Sequence, residues 1–181
     1  LVEGCVISNN AAAVCGAGFR CTFLNCRIVG NSATVYASVG RESRYWNCLI
    51  DGNTGTASAI QYIDGIDSCT IGANNRTASG AAAVAIAGRN AYAAAIVNSL
   101  VLGRAEPDAA TYAYNSAFVS VSASPENLIG CIVTNAEALA VDAAYRPVIG
   151  ANAAMNLADA ARSDASISRD LDLDGNPRVM N

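Results

Sequence analysis

Asn25-Cys26-Arg27-Ile28-Val29-Gly30-Asn31 is the stretch from which the rest of the chain can be read. Its phrase returns as Cys5-Val6-Ile7-Ser8-Asn9-Asn10, as Cys48-Leu49-Ile50-Asp51-Gly52-Asn53 and as Cys69-Thr70-Ile71-Gly72-Ala73-Asn74. The leading cysteines, Cys5, Cys26, Cys48 and Cys69, stand at nearly equal intervals. Two weaker copies follow, Ser99-Leu100-Val101-Leu102-Gly103-Arg104 and Cys131-Ile132-Val133-Thr134-Asn135-Ala136. A fixed period of this size marks stacked structural units.

Within each copy the apolar character alternates, and the third position is always Ile or Val. Period-two alternation with β-branched residues describes a short strand with one buried face. Three residues before each phrase stands another apolar residue: Val2, Phe23, Tyr45, Ile66, Ile96 and Leu128. Between it and the phrase lies a small or turn-forming residue: Gly4, Asn25, Asn47, Ser68, Asn98 or Gly130. Each unit therefore holds a strand end, a bend, a strand and a Gly-Asn corner. About 21 residues accommodate three short strands and three bends at roughly 3.3 Å per residue. The expected fold is all-β: a right-handed parallel β-helix, a solenoid of about six coils. Two-helix repeats run longer, and leucine-rich repeats need more leucine than these units contain.

Coils are expected over residues 1–136. Insertions are expected near 76–95 and 104–127, because the steps from Cys69 to Ser99 and from Ser99 to Cys131 are wider than the others. An irregular, loop-rich tail is expected over 137–181, packing on the coil or closing its end. The recurring Asn10, Asn31, Asn53 and Asn74 are expected to stack as a ladder of side-chain amides down one corner. Cys5, Cys26, Cys48 and Cys69 share one inward position, which predicts buried thiols acting as small hydrophobes. Disulfides between neighbouring coils are disfavoured, because in-register Cβ vectors run parallel. Whether Cys15 and Cys21 close a local loop stays open at this point.

The Asn-Cys-x-Ile-x-Gly-Asn string resembles the repeat of pectate-lyase-like parallel β-helix proteins, over residues 2–136. The tail from Tyr145-Arg146-Pro147 to Asp172-Leu173-Asp174-Gly175-Asn176-Pro177-Arg178 resembles the closing region of large secreted bacterial β-helix proteins. That family includes lyases, hydrolases, adhesins and proteins without known activity. The resemblance implies an extracellular or cell-surface location and a polysaccharide or surface glycan as ligand. In the family the Asp-Leu-Asp-Gly-Asn-Pro-Arg string leads into one more strand, whereas this chain stops at Asn181. At the other end Val2 already lies in the apolar column. The expectation is a piece of a larger protein, its N-terminal edge covered by flanking domains or another protein chain.

Composition narrows the function classes. The 181 residues carry a net charge of −4, and every basic residue is arginine. An acidic chain with scattered arginines lacks the clustered basic surface that nucleic acid requires. No run of apolar residues is long enough for a membrane span. Histidine is absent, so a Ser or Cys nucleophile has no imidazole base.

Glycoside hydrolysis needs two carboxylates at a set separation, and Asp51, Asp64 and Asp67 are the nearest thing to a cluster. Polygalacturonase relatives also use a histidine and an Arg-x-Lys pair, both missing here. Pectate-lyase relatives use a basic residue to remove a proton, often beside acid-bound calcium; Arg44 and Arg76 are the candidates, with no carboxylates assigned to them. Asp170, Asp172 and Asp174 followed by Gly175 match the first half of a calcium loop, but position twelve is Asn181 rather than Glu. The same string reads as a strand ending in an Asp-Gly turn. No cofactor is expected, calcium being the one candidate. The leading expectation is a non-catalytic scaffold, adhesin-like or glycan-contacting segment; the alternative is a polysaccharide lyase or glycoside hydrolase. Outward apolar positions at Val6, Val29, Leu49, Leu100, Leu102 and Ile132 mark either a partner surface or one covered by the tail or the 104–127 insertion.

Overall fold

The computed structural model describes residues 1–56, 58–88, 94–107 and 109–134. The expected tail at 137–181, and with it Asp170, Asp172 and Asp174, lies outside the described residues. Within them the chain is an all-β parallel solenoid. Sheet I stacks the strands Val2–Glu3, Thr22–Leu24, Arg44–Trp46, Gly65–Asp67, Ala95–Val97, Tyr112–Tyr114 and Leu128–Ile129. Sheet II starts from Val6–Ser8, Arg27–Val29, Leu49–Asp51 and Thr70–Ile71. Sheet III holds Ala11–Ala12, Ser32–Ala33, Thr54–Gly55 and Arg76–Thr77. A fourth row, Gly18–Phe19, Gly40–Arg41, Ser58–Gln61 and Val84–Ala87, returns each coil to sheet I.

The register is the one the repeat dictates. Ile7, Ile28, Ile50 and Ile71 pair in sequence down sheet II, and the last three are fully buried. Phe23, Tyr45, Ile66 and Ile96 pair down sheet I, all at most 1% exposed. Phe23 and Tyr45 stack with ring centroids 5.3 Å apart. Between the two columns Cys26, Cys48 and Cys69 lie buried, at most 2% exposed. The bend separating sheets I and II needs a left-handed backbone, which explains its residues: Asn25, Asn47, Ser68, Asn98 and Asn115 have φ between 47° and 53°, and Gly4 and Gly130 take the same place.

The asparagine ladder exists, with one correction. Asn10, Asn31 and Asn53 each donate from backbone N and side-chain Nδ2 to the Oδ1 of the next member, at 2.9–3.1 Å. The member below Asn53 is Asn75, not Asn74. The corner after Ile71 is longer by one position, which shifts Asn74 outward and Asn75 into the column.

The wide step from Ile66 to Ile96 is built from local additions. Thr54 pairs with Arg76, Ser58 with Val84 and Ile66 with Ile96, so the offset between partners grows at each of these pairings. The extra residues enter in three places along the coil, while Val84–Ala87 stays a strand of it, as its alternation predicts. Residues 89–93 lie outside the described residues.

The second wide step is different and corrects the expected insertion at 104–127. It contains an additional coil. Tyr112–Tyr114 joins sheet I, and Ala117–Val121 pairs with the long strand Leu100–Glu106. Ser99 receives no cysteine below it but the Ser116 hydroxyl, at 3.1 Å from its backbone N. Leu100–Glu106 pairs with Thr70–Ile71 at its start and with Val84–Ala87 at its end. It therefore runs straight through what was the sheet III corner, and the coil loses a side. Ile96 accordingly pairs with Ala113, a far shorter step along the chain than that from Ile66 to Ile96.

The outward apolar positions divide. Val6 is 67% exposed, whereas Leu49, Leu100 and Ala117 are buried on the outer side of sheet II. Leu102, Val119 and Ile132 pack against the last two.

Candidate functional site

The three acids proposed from sequence occupy two faces. Asp51 closes its sheet II strand with its side chain outward, yet it is only 4% exposed. Its carboxylate accepts from the backbone N and the Nδ2 of Asn74, both at 2.8 Å. The carboxylate lies over Gly72 of the next coil, where any Cβ would collide with it. Asp51 therefore ties down the corner that the extra residue enlarged, a job that occupies both oxygens. Asp67 ends a sheet I strand, half-buried, and accepts from the Ser68 hydroxyl at 2.7 Å. Asp64 is exposed in the corner before that strand, its backbone N bonded to the Ser43 carbonyl. The fold thus puts Asp64 near Asp67 in sequence and space, and Asp51 on another sheet. Among the described residues no group of three or more His, Cys, Asp or Glu side chains could hold a metal ion.

The thiols form no disulfides: all seven cysteines are free, Cys15 and Cys21 included. Cys26, Cys48 and Cys69 are each a strand spacing from the next, and the backbone N of Cys48 approaches the Cys69 sulfur at 3.4 Å. The Cys48 thiol and then burial push the Cys26 thiol well above its ordinary range. For Cys48 the Cys26 thiol acts downward, but the Cys69 thiol and burial outweigh it, and the net displacement is upward. Cys26 and Cys48 thus lack the depressed pKa and the access that a thiol nucleophile needs.

The outer face of sheet I carries side chains that can hold a ligand. Alternation sends the neighbours of each inward residue outward. Around Tyr45 these are Arg44 and Trp46; around Ala113 they are Tyr112 and Tyr114. Trp46, Asp67, Val97 and Tyr114 form one register row, and Arg44, Gly65, Ala95 and Tyr112 the other. Trp46 is 36% and Tyr112 43% exposed. The two tyrosine rings stack at 6.4 Å and 21°. Three strand spacings separate Trp46 from Tyr114, about 14 Å. Between Trp46 and Tyr114 lie Asp67 and Val97, while in the adjoining row Gly65 and Ala95 leave the floor low. The result is a shallow rigid track with an aromatic at each end and Arg44 and Asp67 along it.

Sequence reasoning missed this track, although a signal was present. Each of these aromatics is one residue away from the inward sheet I column, so aligning the chain on that column instead of on the cysteines exposes Arg44-x-Trp46 and Tyr112-x-Tyr114 together. The second pair also required the extra coil, which the cysteine spacing concealed. Among the described residues no helix is long and apolar enough to cross a membrane. In comparisons with known proteins, no family model matches the chain, and neither a curated protein nor a solved structure is significantly similar to it.

Proposed function

We propose that this chain is a non-catalytic β-solenoid segment that contacts a glycan along the outer face of sheet I, within an extracellular or cell-surface protein. The observation that carries the reading is the track from Trp46 past Asp67 and Val97 to Tyr112 and Tyr114, alongside the small residues Gly65 and Ala95. The C–H face of a sugar ring packs on an aromatic ring, and Tyr and Trp offer that area with little entropy to lose. Arg44 and Asp67 supply hydrogen-bonding groups beside it for hydroxyls. A sheet face is also a stiff support, so the spacing of the aromatics is fixed before a ligand arrives. The likeness of the repeat to the pectate-lyase-like family supports the glycan and the extracellular setting.

A lyase or hydrolase is supported less well. Paired carboxylates are its requirement, and Asp51 is committed to Asn74 on a different sheet from Asp67. A polypeptide neighbour at the first coil belongs to the same proposal. Val2, Cys5 and Ile7 stand in the columns of Phe23, Cys26 and Ile28, which are fully buried, yet remain partly or wholly exposed. A further parallel coil stacked there would bury them and pair the edge strands.

Affinity electrophoresis through gels containing neutral and acidic polysaccharides tests the glycan contact. The protein is expected to be retarded by at least one of them, and Trp46→Ala and Tyr112→Ala to run free. Equal retardation of both variants and the parent would remove the track from the account.

A further inference from the structure

The fourth corner of the coil, where the row Gly18–Phe19, Gly40–Arg41 and Ser58–Gln61 turns into sheet I, breaks the chemistry of every other corner. Its residues Arg20, Glu42 and Tyr62 have φ of 53°, 53° and 56°. All other non-glycine residues with positive φ among the described residues are Asn or Ser. Asparagine adopts this left-handed backbone readily, whereas Arg, Glu and Tyr adopt it against steric resistance. Three successive coils accept that resistance at the same point.

What it places together is a cluster of rings and guanidinium groups. Arg41 packs on two tyrosines, its guanidinium carbon 4.8 Å from the Tyr36 ring centre and 4.6 Å from that of Tyr62. Arg20 stands over Phe19 at 5.0 Å and donates from Nε to Glu42 Oε2 at 2.8 Å. The polar groups are incompletely satisfied. Arg41 Nε is buried without a hydrogen-bond partner, the nearest carboxylate oxygen being Glu42 Oε1 at 3.8 Å. Gln61 Oε1, on the strand paired with that of Arg41, is in the same state. Strain and an unpaired donor and acceptor at one corner do not serve stability, and such features gather at functional sites.

We propose that the face formed by Phe19, Arg20, Tyr36, Arg41 and Tyr62 docks an acidic segment of a partner protein. Aromatic residues and arginine dominate the energetic centres of protein interfaces, and here Phe19 and Tyr36 are 46% and 39% exposed. Charge selects the partner. Two arginines face one glutamate, and that glutamate is hydrogen-bonded to Arg20, so the local sign is positive on a chain of net charge −4. A guanidinium packed on two rings is pre-oriented, and a carboxylate is the group that fits a guanidinium. This face is separate from the glycan track and does not depend on it.

The test measures binding of a poly-glutamate peptide at low ionic strength, against poly-lysine and an oligogalacturonide as comparison probes. Poly-glutamate is expected to bind, with affinity falling at least tenfold in Arg41→Lys, which keeps the charge but not the planar fork. Tyr62→Asn is expected to weaken binding similarly while unfolding at an equal or higher denaturant concentration than the parent, because it relieves the backbone. Trp46→Ala is expected to leave peptide binding unchanged. The proposal is overturned if poly-glutamate binds no better than poly-lysine, if the oligogalacturonide binds here in its place, or if both corner variants bind the peptide as the parent does. Loss of stability in Tyr62→Asn would likewise contradict it, by making the ring a structural support.

Discussion

Asn53→Ala removes the middle of the amide ladder, and the structure sets the size of the effect. The Asn53 side chain is fully buried. It donates to the carbonyls of Ile28 and Asp51, both at 3.0 Å, and to Asn75 Oδ1 at 3.1 Å. It accepts from the backbone N and the Nδ2 of Asn31 at 2.9 and 3.1 Å. All of these hydrogen bonds disappear at once, in a corner that alanine leaves too tight to hydrate. At roughly 1 kcal/mol each, less whatever relaxation recovers, the loss is about 3–5 kcal/mol. Asn10→Ala is the internal control. Asn10 is exposed at the first coil and only donates to Asn31 Oδ1, so its loss is expected to be under about 1 kcal/mol. Equilibrium urea unfolding of the three proteins, analysed at a common m-value, reads both numbers. If Asn53→Ala loses no more than Asn10→Ala, the ladder does not hold the corner and the assigned register is wrong.

Other consequences follow from the same packing. Gly72→Ala is expected to destabilise by about 1–3 kcal/mol through collision with the Asp51 carboxylate, and less so in an Asp51→Ala background, a coupling that a double-mutant cycle detects. Ile50→Ala is expected to cost about 2–5 kcal/mol in denaturant melts, since the side chain is fully buried in the stacked column. Cys26, Cys48 and Cys69 are expected to resist thiol reagents until the protein is denatured; rapid native labelling of all three would contradict their position. The raised pKa values of Cys26 and Cys48 mean that the folded state holds protons the unfolded state releases near the ordinary thiol value of 9.0. Their contribution is present in full below that pH and declines above it, so a urea midpoint that stays constant from neutral pH to well above 9 would refute the burial of these thiols.

The fold was legible because the coil repeats what its geometry demands. A β-branched inward residue, a small thiol and a corner asparagine recur wherever a coil has all its sides. Legibility ended where the geometry changed. The coil through Ser116 and Phe118 has neither the cysteine nor the asparagine, because it has lost the corner that the asparagine serves, and its shorter period broke the count. Asn74 and Asn75 adjoin in sequence, and only the position of Asp51 decides which of them enters the ladder. The acids drew attention in sequence because carboxylates can be catalytic, but sequence does not say that Asp51 is consumed by Asn74. The aromatic track was hidden because it spans coils: Trp46 and Tyr114 are far apart in the chain and come into one row only through register.

The central proposition is that this solenoid holds a glycan without cleaving it. The most direct measurement follows reducing ends and unsaturated products after long incubation of the protein with each polysaccharide that retards it in the gel. The expected result is retention by the parent, loss of retention in Trp46→Ala, and no product above the protein-free control. Product formation that disappears in a variant of Asp51, Asp64, Asp67 or Arg44 would contradict the proposition and make the chain an enzyme.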